Sequence, residues 1–264
     1  MFGSPAPAVP SVQRNMSEQE IGKEVIVLDT VGSTNKEAAD RLALSQLVHG
    51  TVILAHEQTE GRGQRGRSWI SRAHQDLTFS VVVLPKHMKA GAAFELAKIS
   101  ALAVADVVAP KVLGETRVKW PNDVLVDRRK IAGILIKTEV VGGMVQSAII
   151  GIGLNVNSRE LDEAYLPTSL RMETGQEHDR MELLNELCAA LDRRWKQLMA
   201  QPVAIRSDYS DRLWSVGRWC DFELDGQPFS GRPLDVDAEG RLLVESPTGQ
   251  VVAYGLDRLR FAAR

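Results

Sequence analysis

The alternation of apolar and polar positions becomes organised from Val25 onward. Val25–Leu28 reads as a short strand, and Thr34 with Glu37 has capping-box spacing at the start of a helix running to about Val48. Thr51–His56 is a further strand, and residues 57–72 follow neither a strand nor a helix period. Leu77–Leu84 is a continuous apolar run, hence a buried strand; a helix over Ala92–Ala109 ends before Pro110. Arg117–Trp120 and Val124–Asp127 flank a Pro-Asn-Asp turn. Ile131–Val140 and Val145–Leu154 then form a long hairpin around Gly142–Gly143. Asp179–Ala200 carries the clearest stripe, with Met181, Leu184, Leu187, Cys188, Leu191, Trp195 and Leu198 on one helical face. Pro202 closes it, and a shorter helix then runs to about Leu213. From Arg218 the texture changes to short strands with turns at Asp225–Gly226, Glu239–Gly240 and Thr248–Gly249, the pattern of a small barrel or sandwich. Three segments follow: residues 1–22, proline-bearing and expected to stay disordered; a main domain over 23–216; and a small β domain over 217–264.

Composition narrows the function classes. The chain has 264 residues, 44% hydrophobic and 25% charged, enough for a full core. Its net charge of −2 argues against a bulk electrostatic grip on nucleic acid or an anionic membrane. The helix over 92–109 carries Glu95, Lys98 and Asp106, so it belongs in a core and not in a bilayer. Cys188 and Cys220 form no CxxC, and Cys188 lies on the apolar stripe; a reducing, cytoplasmic location is expected. The five histidines share no metal-ligand spacing, and no metal site is assigned. There is no G-x-S-x-G elbow and no G-x-x-x-x-G-K-[ST] loop.

Four stretches carry candidate chemistry. In Gly61-Arg62-Gly63-Gln64-Arg65-Gly66-Arg67-Ser68-Trp69, glycines allow close backbone approach while guanidinium forks suit phosphate or carboxylate. The string fits G-x-G-x-x-G, but no helix opens at Gly66, so the dinucleotide reading fails on context. Taken alone, the stretch also reads as an exposed flexible loop. In Lys119-Trp120-Pro121-Asn122-Asp123, a lysine at a strand end can face developing negative charge; an ordinary turn is the plainer reading. Ser33-Thr34-Asn35 clusters polar groups at a helix start, where simple capping competes with ligand binding. In Gly151-Ile152-Gly153-Leu154-Asn155, strand glycines mark close approach or a bulge, and Asn155 is a candidate nucleotide contact.

In this order, S-T-N, E-Q-T-x-G-R-G-x-x-G-R-x-W, K-W-P-N-D with R-K-I-A-G-I-L, and G-I-G-x-N-V-N resemble the biotin–protein ligases over about Val25 to Asn157. The resemblance implies an α+β fold: a mixed, mostly antiparallel sheet with flanking helices, like the class II synthetases, followed by an SH3-like barrel. It implies a ligase that uses ATP and Mg2+ to convert biotin to biotinyl-5′-AMP. Biotin then passes to a lysine of a biotin carboxyl carrier protein, with amide-bond formation. By matching, Ser33, Thr34, Asn35 and Gln58 hold biotin; Arg62, Gly63 and Gln64 form a lid over the phosphate, with Gly61 a further binding-site candidate; Arg65 and Arg67 contact phosphate; Trp69 packs on the adenine side. Lys119 and Arg62 are the catalytic candidates, with Lys119 bridging the biotin carboxylate and the α-phosphate. Asn122, Lys130 and Asn155 fall on the nucleotide side, and Gly133 is a further binding-site candidate. Gln64 departs from the family's usual arginine, a loss of charge expected to loosen retention of the adenylate.

A lipoate or octanoate ligase of the same fold is the nearest rival, and a silent binding module is a second. Only about 24 residues precede the pattern, so a monofunctional ligase without a DNA-binding domain is expected. No membrane partner is expected, and exposed sheet edges leave a homodimer open.

Overall fold

The computed structural model describes residues 11–14, 19–161 and 166–262. Eight strands form one sheet in the order β1 (Ser11–Arg14), β2 (Glu24–Val31), β3 (Val52–Gln58), β4 (Leu77–Val83), β8 (Met144–Leu154), β7 (Arg129–Val141), β6 (Asp123–Val126), β5 (Thr116–Lys119). Only β2 and β3 run parallel; the other neighbours are antiparallel. This is the mixed, mostly antiparallel sheet that the sequence implied.

Strand periodicity feeds two cores. Val25, Val52 and Leu54 pack into the large cluster, while Ile26 and Ile53, one position along, point into a smaller one. Helix α1 (Thr34–Ala43) covers the smaller face through Ala38, joined by Leu47. Helices α2 (Phe94–Val108), α4 (Arg180–Ala200) and α5 (Pro202–Arg212) cover the other. All seven residues of β4 are buried because both faces are covered. The charges on α2 are absorbed by partners: Lys98 and Arg206 both hold Glu95, at 3.3 and 3.0 Å, and Arg194 holds Asp106 at 2.8 Å. The stripe on α4 is buried, and Asp179 caps it by accepting from the Met181 and Glu182 amides. Cys188 sits in that core, its thiol pushed up to about 12 by burial.

The C-terminal segment forms a five-stranded antiparallel sheet in the order β12 (Val251–Tyr254), β11 (Leu242–Glu245), β10 (Gln227–Val236), β9 (Cys220–Leu224), β13 (Leu259–Phe261). It is an SH3-like domain, and its Phe222, Leu242 and Val244 join the large core. Trp120 Nε1 donates to the Gly240 carbonyl at 2.9 Å across the junction.

Three expectations change. Thr34 and Glu37 make no capping box: Ser33 is the N-cap residue without a capping side chain, Thr34 faces Gln58, and Glu37 pairs with Arg41 at 2.7 Å. The helix also stops at Ala43, short of Val48. The expected N-terminal disorder fails at Ser11–Arg14, which pairs with β2, and at Ile21, which is fully buried. There the Asp192 carboxylate accepts from the Glu20 and Ile21 amides. The rest of that segment, residues 1–10 and 15–18, lies outside the described residues. A short helix, α3 (Leu170–Thr174), was not anticipated.

Candidate active site

The open end of the sheet, above β3, β4, β7 and β8, holds a cavity of about 840 Å³. That volume suits a ligand of a few tens of heavy atoms. Its floor is a network of buried polar side chains. Gln58 Oε1 accepts from the Thr34 amide at 2.8 Å and from the Thr34 hydroxyl at 3.1 Å. The Ser80 hydroxyl lies 2.7 Å from both Thr34 Oγ1 and Asn35 Oδ1, and Asn35 Nδ2 donates to the Leu135 carbonyl at 3.0 Å. Burial without partners would cost each of these groups one to a few kcal/mol, so the network locks their rotamers before any ligand arrives. Gly151 makes room for it: a Cβ there would stand 2.4 Å from Asn35 Oδ1.

The opposite wall is the loop between β3 and β4. A single turn over Gln64–Gly66 places Arg65 in left-handed backbone, φ 55°, and Arg62 pairs as an isolated bridge with Ser68. Arg62, Arg65 and Arg67 are exposed and line the cavity. Trp69 folds back over the glycines of the β7–β8 pair. A Cβ on Gly153 would stand 2.2 Å from its ring and one on Gly133 3.0 Å. Gly133 and Gly153 are direct register partners, so one indole covers both. Lys130 Nζ lies 5.5 Å from that ring and pairs with Asp123 at 2.7 Å.

Lys119 ends β5 and lines the cavity between floor and loop. Among the described residues its ammonium has no ion pair. Burial is the main cause holding its pKa below the ordinary lysine value. The nearby Lys130 and Arg67 push the same way, while Asp123 opposes.

Fourteen predicted residues meet around this one space, from Ser33, Thr34, Asn35 and Gln58 through Arg62, Gly63, Gln64, Arg65, Arg67 and Trp69 to Lys119, Asn122, Lys130 and Gly133. Gly61 lies behind it: a Cβ there would meet the Trp69 carbonyl at 2.3 Å, so its role is to let the loop close on itself. Asn155 reaches the cavity but is 5% exposed, and its Nδ2 donates to the Thr168 carbonyl, which braces the wall. Asn122 Nδ2 likewise donates to the Ile134 carbonyl at 2.9 Å. Both asparagines therefore serve the scaffold first. The main omission from the sequence reading is a third wall, from Trp214, Cys220, Leu259 and Phe261 of the linker and the C-terminal domain.

Comparison with known proteins agrees with the geometry. Residues 27–155 match the biotin/lipoate A/B protein ligase family. The biotin–[acetyl-CoA-carboxylase] ligase of Mycobacterium tuberculosis is 33% identical over 245 residues, 89% of this chain and 90% of that protein. The chain belongs to the biotin–protein ligase family. The Paracoccus denitrificans enzyme of the same name is also 33% identical, over 86% of this chain and 96% of its own length. Among solved structures, the biotin protein ligase of Aquifex aeolicus in complex with biotin and ATP superposes with a TM-score of 0.75. It is 27% identical and covers 90% of this chain and 99% of its own. In this biotin–protein ligase the cavity combines a neutral hydrogen-bonded floor, a cationic loop and a half-buried lysine between them. No described helix is long and apolar enough to cross a membrane.

Proposed function

We propose that this cavity carries both half-reactions of biotin–protein ligation. A biotin carboxylate oxygen attacks the α-phosphorus of ATP, the bond to the β-phosphate oxygen breaks, and pyrophosphate leaves. The uncharged amine of a carrier-protein lysine then attacks the acyl carbon of biotinyl-5′-AMP. It loses a proton as the amide forms, and AMP departs with the electron pair of the broken anhydride bond. The observation that carries the reading is the placement of Lys119 between the Thr34–Asn35–Gln58 floor and the Arg62–Arg67 loop in one cavity. The floor holds the neutral rings of biotin. The loop cations and Lys119 meet the charge that accumulates when carboxylate and phosphate, both anions, are brought together.

Trp69 presents an indole that screens the glycine-lined strands from water, with the adenine on its side of the cavity. Excluding water protects the adenylate, an anhydride, from hydrolysis. Among the described residues no cluster of three metal-ligating side chains exists. Mg2+ would be held mainly by nucleotide phosphates and water, with Asp123, one of several carboxylates lining the cavity, able to supply an oxygen. The ion would neutralise phosphate charge. The acceptor is a biotin carboxyl carrier domain of acetyl-CoA carboxylase or a related carboxylase, and two free thiols suit a cytoplasmic setting.

Pyrophosphate release from Mg-ATP, measured with biotin, lipoate, octanoate or no acid, tests the reading. Release that requires biotin is expected. Release with lipoate or octanoate in its place would reassign the acid, and none with any acid would overturn the adenylation reading.

A further inference from the structure

The C-terminal domain reaches the reacting centre at one point that the assignments above leave without a role. Beyond α5 the chain runs beside β5: Leu213 bridges Val118 in parallel, and the Trp214 amide donates to the Val118 carbonyl at 2.7 Å. Trp214 is thus tied by backbone to the residue preceding Lys119. From the far end of the chain, β13 brings in Phe261, opposite Phe222 of β9. The Trp214 and Phe261 rings meet edge-on, with centroids 5.1 Å apart and planes at 67°. Phe222, 1% exposed, backs Phe261 at 4.6 Å. Lys119 Nζ lies 5.5 Å from the Trp214 centroid and 5.2 Å from the Phe261 centroid.

We propose that Trp214 and Phe261 form an aromatic clamp that positions the Lys119 ammonium for adenylation, making the linker and the last strand part of the catalytic apparatus. The proposal rests on the assignment of Lys119 to the transition state. A carboxylate partner would hold the lysine equally well but would cancel its charge and compete with the substrate anions. Asp123 illustrates this with Lys130, which it neutralises at 2.7 Å. Ring faces attract a cation through their quadrupole and supply no counter-charge, so the ammonium keeps its field and its three N–H donors for carboxylate and phosphate. Burial of Lys119 strengthens that attraction, since less water competes with the rings.

Phe261→Leu keeps the apolar bulk and removes the ring face; Phe261→Tyr keeps the face. The account predicts that Phe261→Leu lowers kcat for biotin-dependent pyrophosphate release about tenfold, with KM for biotin within about twofold. Its alkaline limb should move to lower pH, because the ammonium loses a stabilising partner while remaining buried near Asp123, Lys130, Arg67 and Cys220. Phe261→Tyr should restore most of the rate. Trp214→Leu and Trp214→Phe repeat the contrast and carry the test if a Phe261 variant fails to fold. Unchanged kcat in both leucine variants, or tyrosine and phenylalanine variants as impaired as the leucine ones, overturns the clamp. Lys119→Met separates the two levels. An inactive Lys119→Met beside a fully active Phe261→Leu sinks the clamp alone; an active Lys119→Met sinks the lysine assignment and the clamp with it.

Discussion

The floor and the loop of the cavity are built on opposite plans. On the floor, Thr34, Asn35, Gln58 and Ser80 are joined in one hydrogen-bonded set, and Ser80 is fully buried. Across from it the Arg62 side chain is 57% exposed, and its nearest carboxylate, Glu60, stands 4.0 Å away. Neutral polar groups in a core must be satisfied at all times, so they are fixed whether or not the site is filled. Exposed guanidinium groups are satisfied by water and lose little by waiting for an anion. On the proposed reading, the acid would meet a preformed surface and the phosphates an exposed cationic loop that the ligand orders further. In that case preorganisation would set which acid binds, and loop closure how long the adenylate stays.

The largest test of that division removes the group between the two walls. Lys119→Met should lower the rate of biotin-dependent pyrophosphate release about 10²–10³-fold while circular dichroism and biotin binding persist. In the unaltered protein, kcat/KM should fall on the alkaline side below the pH expected of an ordinary lysine. The depressed pKa means the Lys119 ammonium loses its proton earlier than an ordinary lysine, and Lys119→Arg should abolish that limb because the guanidinium stays charged. Next comes the floor. Gly151→Ala places a Cβ 2.4 Å from Asn35 Oδ1, so calorimetry should find biotin affinity reduced by about tenfold or more, without nucleotide present. Breaking the loop should look different. Arg62→Ala should leave the affinity for biotin alone unchanged and speed escape of biotinyl-5′-AMP by about tenfold, read by trapping the released adenylate. The smallest effect is a gain: Gln64→Arg should slow that escape by a few-fold, and an unchanged rate would remove Gln64 as a determinant of retention.

Legibility in the sequence tracked how local each feature is. The α4 stripe and the Gly142–Gly143 hairpin depend on neighbours a few positions apart, and both were readable. The Arg62–Trp69 loop and Lys119 were readable as chemistry through motif order, although none of the motifs decided anything alone. Thr34 misled because its capping geometry competes with a partner 24 positions away, Gln58, which wins by satisfying a buried amide. Helix α3 spans five residues, too short to establish a period. The C-terminal wall was invisible for a different reason. Trp214 and Phe261 meet Lys119 only through long-range packing, and nothing in the spacing of either residue announces it.

Hydrogen–deuterium exchange of the whole chain tests the division most directly, in three states: empty, with biotin, and with a non-hydrolysable analogue of the adenylate. The account predicts that amides over residues 33–35 and 78–80 are protected in all three. Amides over 62–68 should exchange rapidly when empty and with biotin, and become protected only with the analogue. Equal protection of the loop in every state, or a floor that gains protection only with ligand, would contradict it.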